Sequence, residues 1–117
     1  MKQVSGVDEL DDFILDNMEN DMVVVLYFGA VWCNPCKLLK ERLHEPETKK
    51  IMPRLAVCYL DVDDTENDEL VEKYQVEAFP TQIFIRVVNN TVKEVSRVEG
   101  FDFTKLKLNY DSFVGNN

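Results

Sequence analysis

The chain has 117 residues, which at the usual size of about 100 to 150 residues per domain predicts one compact domain over residues 1–117. Hydrophobic residues make up 45% and charged residues 30% of the sequence, a balance typical of folded rather than disordered proteins. Lysine and arginine total 13 against 22 aspartate and glutamate residues, so the net charge is −9. This acidic balance argues against nucleic acids and anionic membranes as partners, because both are bound through positive charge.

The first residues and the cysteine count indicate the compartment. Residues 1–5 lead into an acidic amphipathic stretch without the apolar run of a signal peptide, and no apolar stretch approaches the roughly 20 residues that span a bilayer. The sequence therefore predicts an intracellular, cytoplasmic protein without a membrane partner. The three cysteines, Cys33, Cys36 and Cys58, are an odd number that fits poorly with a fully paired disulfide scaffold. In a reducing compartment a close cysteine pair is expected to be catalytic, redox-sensing or metal-binding.

Hydrophobic periodicity predicts the first elements of the chain. Val7, Leu10 and Ile14 recur at helical spacing, with Ser5 as a candidate N-terminal cap. The next segment, residues 22–28, is nearly all apolar and rich in β-branched residues. That composition is typical of a strand buried on both faces, so we expect it at the centre of a sheet.

A second helix is predicted to begin at residues 33–36. Its apolar positions are Leu38, Leu39 and Leu43, which we expect to face the core. Two prolines follow, and proline in a helix interior removes a hydrogen bond and clashes with the preceding turn. The helix is therefore expected to end or kink near His44.

The remaining sequence predicts alternating strands and helices. Residues 55–62 form a predicted strand that is followed by an acidic turn and a short helix. Residues 81–88 and 91–98 are predicted strands, joined by an Asn-Asn pair that tolerates positive φ and favours a tight hairpin. Asp102 is a candidate cap of a terminal helix. This order predicts an α/β fold with a central mixed sheet that is flanked by helices on both faces.

Cys33 and Cys36 are the candidate reactive residues, because they lie between a buried strand and a helix. A cysteine at the first turn of a helix faces unpaired backbone N–H groups and the positive end of the helix dipole, and both favour the thiolate. Cys33 is therefore the predicted nucleophile, and Cys36, one turn further in and less accessible, suits a resolving thiol. The Cys33 thiolate attacks a substrate disulfide, and Cys36 then displaces the reduced substrate to leave a Cys33–Cys36 disulfide. This chemistry needs neither a metal nor an organic cofactor.

At these residues the sequence resembles the thioredoxin family. The strand over residues 23–28 and the Ala-Val-Trp-Cys-Asn-Pro-Cys-Lys segment at residues 30–37 are similar to the family's active-site segment. Three further segments resemble the family's third strand and turn, its cis-proline loop and the glycine before its last helix, at residues 59–63, 78–81 and 98–100. The resemblance covers about residues 4–114 and implies a thioredoxin fold with protein-disulfide reductase activity.

The resemblance also implies a substrate groove beside the cysteines. Its two walls are expected to consist of Trp32, Asn34 and Pro35 on one side and of Phe79, Pro80 and Gly100 on the other. A cis peptide bond at Pro80 exposes neighbouring backbone groups for an extended peptide, Gly100 permits close approach, and Lys37 next to the pair is a tuning position. The implied partners are proteins that contain disulfides, with a separate reductase or a small thiol as electron donor. The protein is expected to act as a monomer.

Several positions depart from the family pattern. Thioredoxins usually carry a buried aspartate that assists proton transfer at the resolving cysteine, but this chain has Tyr27 there, and Tyr59 replaces a facing lysine on the next strand. A phenol with an ordinary pKa of about 10 cannot serve as a carboxylate base at neutral pH, so Cys36 must lose its proton to water or another group. We therefore predict slower resolution than in a typical thioredoxin. Asn34 replaces the usual glycine and Glu41 the usual kink proline, and both changes bear on redox potential and partner choice.

Other interpretations of the same residues stay open. The departures near Cys36 can shift the pair toward disulfide exchange or isomerisation, with a less reducing potential. A different class of function is a redox-inactive adaptor that binds a partner through the fold. Cys58 is most simply a small buried hydrophobic residue, with a regulatory or dimer-linking thiol as the alternative. A zinc site made from the three cysteines and His44 has suitable ligand types, but their predicted elements scatter them, so no metal is expected.

Overall fold

The computed structural model describes residues 1–115, which form a five-stranded mixed sheet with helices on both faces. The strands are β1 (Lys2–Gln3), β2 (Val23–Gly29), β3 (Leu55–Asp61), β4 (Thr81–Val88) and β5 (Thr91–Glu99). The α-helices are α1 (Gly6–Glu19), α2 (Asn34–His44), α3 (Pro46–Ile51), α4 (Asp68–Lys73) and α5 (Phe103–Gly115), and a 3-10 turn over Thr65–Asn67 precedes α4. None of the helices in this part of the chain is long and apolar enough to cross a membrane.

β2 lies at the centre of the sheet, whose strand order is β1-β3-β2-β4-β5. It pairs in parallel with β3 and antiparallel with β4, and β4 and β5 form an antiparallel hairpin. Every residue of β2 is buried, as its apolar run predicts. Asn89 and Asn90 turn the hairpin at φ 52° and 62°, which confirms the predicted tight connection. β5 is an outer strand, and a register irregularity between Phe84 and Ile85 interrupts its ladder with β4.

The side chains of β2 alternate between two cores, because successive residues of a strand point to opposite faces of the sheet. Leu26 and Phe28 pack with α1 and α4 on one side, which we call the α1 face. Tyr27 packs with α2 and α5 on the other side, the α2 face. Cys58 of β3 belongs to the α1 face, and the pair at residues 33–36 belongs to the α2 face.

Two other predictions are confirmed at helix ends. α2 ends at His44, and the residues that follow form the separate helix α3, which starts at Pro46. Proline is tolerated there because the N–H of a first helical residue has no partner within the helix. Asp102 caps α5, since the N–H of Lys105 donates to its Oδ1 across 3.0 Å.

The structure corrects two local expectations and adds one short strand. Leu38 is 51% exposed, because Leu39 occupies the face of α2 that turns toward the sheet. Ser5 does occupy the N-cap position of α1, but its hydroxyl donates to Asp64 Oδ2 across 2.6 Å instead of capping the helix. A bond to a carboxylate is stronger than one to a neutral backbone group, which favours this alternative. β1 was not predicted, because two exposed residues carry no periodic pattern.

Candidate active site

Cys33 and Cys36 form a disulfide at the N-terminus of α2. β2 ends at Gly29, and a short loop carries the chain to Cys33, the N-cap residue of the helix. Pro35 lies in the first helical turn, where its missing N–H leaves no bond unmade. The Cα atoms of the two cysteines are 5.2 Å apart, a separation that a disulfide spans. The end of the central strand and the start of α2 therefore hold the two sulfurs together.

The helix start provides a donor to Cys33. The backbone N–H of Cys36 donates to Cys33 Sγ across 3.2 Å. N–H groups in the first turn of a helix have no intrahelical partner, and the dipole places partial positive charge there. Both effects favour the thiolate form of Cys33 after the disulfide is reduced. This geometry supports the assignment of Cys33 as the attacking residue.

The two cysteines differ little in exposure. Cys33 is 5% and Cys36 is 3% exposed, so the difference in access expected from the sequence is small in the disulfide form. Exposed apolar surface beside the sulfurs comes instead from Val31 and Trp32, which are 69% and 61% exposed. The exposed positions at the start of α2 are Asn34, Pro35 and Lys37. An approaching protein therefore meets the loop side chains before it reaches a sulfur atom.

Trp32 is held by contacts on two sides. Its indole Nε1–H donates to Asp63 Oδ2 across 2.7 Å, and the N–H of Asp63 donates to Asp61 Oδ1 across 2.9 Å. The indole ring also meets Phe79 edge to face, with the ring centroids 5.9 Å apart. These contacts join the loop of Cys33 to the loop that contains Phe79, two segments that the sequence assigns to opposite walls of one groove. The role of Asp63 as the partner of the indole was not predicted.

Pro80 and Gly100, both expected in the second wall of the groove, are brought together by a hydrogen bond. The Phe79–Pro80 peptide bond is cis, as the resemblance implies, and the N–H of Gly100 donates to Pro80 O across 2.7 Å. Gly100 has a φ of 86°, and a Cβ there would meet no atom within 4 Å, so its surface is open space. The buried Gln82 donates from Nε2 to Gly100 O across 3.2 Å, while its Oε1 has no hydrogen-bond partner among the described residues. Gln82 was not predicted, because a polar residue inside a strand has no sequence signature of this role.

Two tyrosines close the site behind Cys36. Tyr27 of β2 is fully buried and donates its hydroxyl to Cys36 O across 2.5 Å. Tyr59 of β3 meets the Tyr27 ring edge to face, with the centroids 5.2 Å apart. Burial raises the pKa of both phenols; Tyr59 adds to the rise at Tyr27, and Asp61 and Asp63 add to the rise at Tyr59. Both hydroxyls therefore stay protonated at neutral pH, and neither can accept the Cys36 proton.

Gly29 lets these rings approach the disulfide. A Cβ at this position would lie 2.7 Å from Tyr27 Cε1, 3.2 Å from Tyr59 Cε1 and 3.3 Å from Cys36 Sγ. The first distance is far shorter than the about 3.5 to 4.0 Å at which carbon atoms pack. The sequence alone does not show why β2 ends in a glycine. Only the positions of the two rings show that this one makes room beside Cys36.

A cavity of about 220 Å³ opens beside Cys36. Its walls include Tyr27, Tyr59, Lys37 and Lys40, and the Lys40 ammonium lies 5.0 Å from the centroid of the Tyr59 ring. Because a water molecule occupies about 30 Å³ of liquid, the space suffices for several. A larger and more open depression of about 630 Å³ lies further along α2, but neither cysteine lines it. The smaller cavity is therefore the one that bears on the disulfide chemistry.

Cys58 lies on the opposite face of the sheet from the disulfide. It is a free thiol, fully buried among the apolar side chains of the α1 face. Burial raises the pKa of this thiol to about 12. His44 lies at the end of α2 with Nδ1 2.8 Å from Lys40 O. The residues weighed as zinc ligands are thus kept apart, with Cys58 across the sheet from the pair and His44 at the far end of α2, and Cys58 has the environment of a small hydrophobic residue.

Comparison with known proteins identifies the family. The thioredoxin family model matches residues 4–109. The chain belongs to the thioredoxin family. Thioredoxin-T of Drosophila melanogaster is 34% identical over 83 residues, which are 71% of this chain and 50% of that protein. Thioredoxin H-type 1 of Nicotiana tabacum is 33% identical over 94 residues, which are 80% of this chain and 68% of that protein.

A solved thioredoxin structure agrees with the fold of this thioredoxin-family chain. The X-ray structure of Fasciola hepatica thioredoxin is 30% identical, with a TM-score of 0.77 over 96% of this chain and 98% of that chain. The predicted thioredoxin fold, a mixed sheet flanked by helices on both faces, is therefore confirmed. The chain spans only half the length of Thioredoxin-T, so that relative as a whole is larger than the matched region.

Proposed function

We propose that this protein is a thiol–disulfide oxidoreductase that reduces disulfides in other proteins, with residues 1–117 as one thioredoxin-like domain. One observation carries the proposal: Cys33 and Cys36 form a disulfide at the N-terminus of α2, where the Cys36 N–H donates to Cys33 Sγ. The same donor stabilises the Cys33 thiolate after reduction. The helix start can therefore serve the pair both as a disulfide and, after reduction, as a dithiol with a stabilised Cys33 thiolate.

The proposed reaction consists of two exchanges. The Cys33 thiolate attacks one sulfur of a substrate disulfide, the bond between the substrate sulfurs breaks, and the other substrate sulfur leaves as a thiolate that takes a proton from water. The Cys36 thiolate, whose proton has passed to solvent, then attacks Cys33 Sγ, and the second substrate sulfur leaves in the same way. The substrate gains two electrons and the protein loses them. A separate reductase or a small thiol restores the dithiol, and neither a metal nor an organic cofactor is required.

The proposed substrates are proteins whose disulfide lies in an extended, accessible segment. The exposed indole of Trp32 offers an apolar surface next to Cys33, and the open space at Gly100 allows a peptide backbone to come close. The groove walls are assigned to Trp32, Asn34 and Pro35 and to Phe79, Pro80 and Gly100. Lys37 and the two tyrosines behind Cys36 are assigned as tuning positions rather than as substrate contacts.

The compartment and the oligomeric state belong to the same proposal. A reductase needs a supply of electrons, and the cytosol keeps thiols reduced through such systems. We therefore place the protein in the cytoplasm, as a monomer that contributes to electron transport and redox homeostasis. The acidic surface charge supports protein partners rather than nucleic acids or membranes.

An equilibrium titration of the full chain against dithiol and glutathione buffers tests the proposal. Thiol alkylation and Trp32 fluorescence report the state of the pair, and Cys33→Ser is the control that cannot form the disulfide. A reversible two-electron transition near about −270 mV supports a general reductase, whereas one near about −180 mV redirects the function to exchange or isomerisation. If no reversible disulfide forms, the reductase proposal is wrong and a binding adaptor takes its place.

The order of attack is tested by trapping. Cys36→Ser lacks the resolving thiol, so the mixed disulfide between Cys33 and a protein substrate should persist and be visible by mass spectrometry. Cys33→Ser is the matched variant and should trap little under the same conditions. Equal trapping by both variants would mean that the two cysteines attack without preference and would overturn the assigned roles.

A further inference from the structure

Cys36 has to become a thiolate for the second exchange, but the groups packed directly on it include no base. Tyr27 donates its hydroxyl to the backbone oxygen of Cys36, and burial keeps this phenol protonated. Tyr59 stands behind Tyr27 and is held protonated by the same cause. Neither phenol can take the proton, and the remaining charged side chains that line the cavity beside Cys36 are lysines, whose positive charge can stabilise the sulfur anion.

Lys40 is placed to supply that charge. It follows Cys36 by four residues on α2, and residues with this spacing lie one above the other on the same side of a helix, with Cβ atoms about 5 to 6 Å apart. Cys36 and Lys40 also line the same cavity of about 220 Å³. The ammonium group lies 5.0 Å from the centroid of the Tyr59 ring, so the aromatic face holds it at the cavity wall.

Among the charged and titratable groups around Cys36, Lys40 is the one placed to stabilise its thiolate. β2 contributes Tyr27 and β3 contributes Tyr59, while α2 contributes two lysines to the cavity wall. Lys37 is adjacent to Cys36 in the helix, and neighbouring helical residues point in different directions. Beyond the Tyr59 ring, the carboxylates at residues 61 and 63 act on its phenol and oppose the field of the lysine. Lys40 is thus the cation that shares a helix side with the resolving sulfur.

We propose that Lys40 is a positioning residue for the second exchange, whose ammonium group, held against Tyr59 at the cavity wall, stabilises the Cys36 thiolate. The inference rests on the proposed oxidoreductase function and deepens it by naming what serves the resolving step in the absence of a buried carboxylate. In this step the Cys36 proton leaves to water in the cavity, and the lysine keeps its own proton. A cation that lines the same cavity as the sulfur favours the anion without taking part in bond exchange.

The two exchanges can be timed separately with dithiodipyridine, an uncharged disulfide whose thiol product absorbs light. One equivalent is mixed rapidly with the reduced full chain. The first burst of product reports attack by Cys33, and the second, unimolecular burst reports displacement by Cys36. Both rates are measured across a range of pH in wild type, Lys40→Gln, Lys40→Arg and Lys93→Gln. The last variant removes the same charge from an exposed site on β5 and controls for net charge.

In Lys40→Gln only the second burst of product should differ from wild type. In Lys40→Gln its pH midpoint should move upward, and its rate below the midpoint should fall by roughly three- to tenfold, since one pKa unit is tenfold in thiolate. Lys40→Arg and Lys93→Gln should follow wild type. An unchanged midpoint in Lys40→Gln overturns the inference, and so does an equal change in Lys40→Arg, which would assign the effect to packing. Absence of the first burst in wild type overturns the proposed function itself.

Discussion

Each face of the central sheet buries a cysteine, and the surroundings of the two cysteines differ. Cys58 lies on the α1 face, fully buried among apolar side chains, and burial raises the pKa of its thiol to about 12. Cys36 lies on the α2 face and is only 3% exposed, but it belongs to a disulfide at a helix start and lines a cavity. Burial is thus nearly equal at the two cysteines, and what differs is the polarity of their surroundings.

This difference shows where reactivity comes from in the chain. Desolvation alone makes a thiol inert, because it disfavours the thiolate that attacks disulfides. The α2 face offsets desolvation with backbone N–H groups at the start of α2 and with a cavity that admits solvent. The α1 face offers only side chains that pack. The same strand pair, β2 and β3, therefore supports a structural cysteine on one side and a redox pair on the other.

The largest expected effect comes from removing a sulfur on each face. Cys33→Ser should reduce disulfide-reductase activity to the background rate of the buffer, because a hydroxyl cannot replace the thiolate nucleophile. Cys58→Ala should keep the activity and lose about 1 kcal/mol of stability from the smaller side chain. A turnover assay with a protein disulfide and urea unfolding measure the two quantities. Loss of turnover in Cys58→Ala would contradict a purely structural role for the cysteine of the α1 face.

A methyl group placed behind the disulfide tests how tightly the α2 face is packed. Gly29→Ala should destabilise the protein by about 1 to 3 kcal/mol, because the new Cβ would lie 2.7 Å from Tyr27 Cε1 and the buried ring would have to shift. Urea unfolding measures the change. Gly115→Ala is the matched control, since a Cβ there meets no atom within 4 Å. Equal midpoints for the two variants would contradict the tight packing.

Alkaline pH should lower the free energy of unfolding, because the Cys58 thiol is buried in the α1 face. The folded state keeps the thiol proton up to a pKa of about 12, whereas an unfolded chain loses it near the ordinary value of 9.0. The unfolded state then binds fewer protons, so stability is complete below about pH 9 and falls above it by about 1.4 kcal/mol per pH unit.

The tyrosines whose pKa values burial raises, Tyr27, Tyr59 and Tyr74, steepen this fall above their ordinary value of 10.0. Urea unfolding between pH 8 and 10 isolates the thiol. Cys58→Ala should lose stability more slowly with pH over this range than wild type does. Parallel curves for the two proteins would show that the thiol keeps its ordinary pKa in the fold.

The smallest expected effect concerns the rim of the α2 face. Asp63→Ala removes the acceptor of the Trp32 indole. A hydrogen bond from a neutral donor to a charged acceptor contributes little free energy at an exposed site, so KM for a protein disulfide should rise by only about two- to fivefold. The redox potential should change little, because the Asp63 charge acts on the pair only from beyond the Tyr59 ring. Asp12→Ala on α1 controls for net charge. A shifted potential without a change of KM would place Asp63 in the tuning of the pair instead.

Much of this architecture follows from local patterns. The apolar run of β2, the Asn-Asn turn and the cap at Asp102 all act through the chain near them, so the sequence predicts them. Cys33 belongs to the same group, because its chemistry comes from the helix that starts beside it. The order of elements then leaves few ways to arrange a mixed sheet.

The rest depends on contacts between distant segments. A glycine is needed at position 29 because the Tyr27 and Tyr59 rings occupy the space where a Cβ would lie. Lys40 is held at the cavity because its ammonium group contacts the Tyr59 ring. Gln82 contacts the proposed groove through the oxygen of Gly100, which lies 18 residues later in the chain. The contacts of Gly29 with Tyr59, of Lys40 with Tyr59 and of Gln82 with Gly100 join different segments, so no periodicity reveals them. They are found by geometry alone.

The charged surface of β5 has a consequence for the behaviour of the protein at high concentration. This nine-residue outer strand carries an ion pair between Arg97 and Glu94 at 2.6 Å, with Lys93 and Glu99 on the same strand. Arg97 also donates to Tyr74 O across 2.7 Å, and the irregularity at Phe84 bends the hairpin ladder. A strand from another molecule would have to strip water from these charges and follow an uneven edge. Edge-to-edge aggregation through β5 is therefore disfavoured whether the active-site pair is oxidised or reduced.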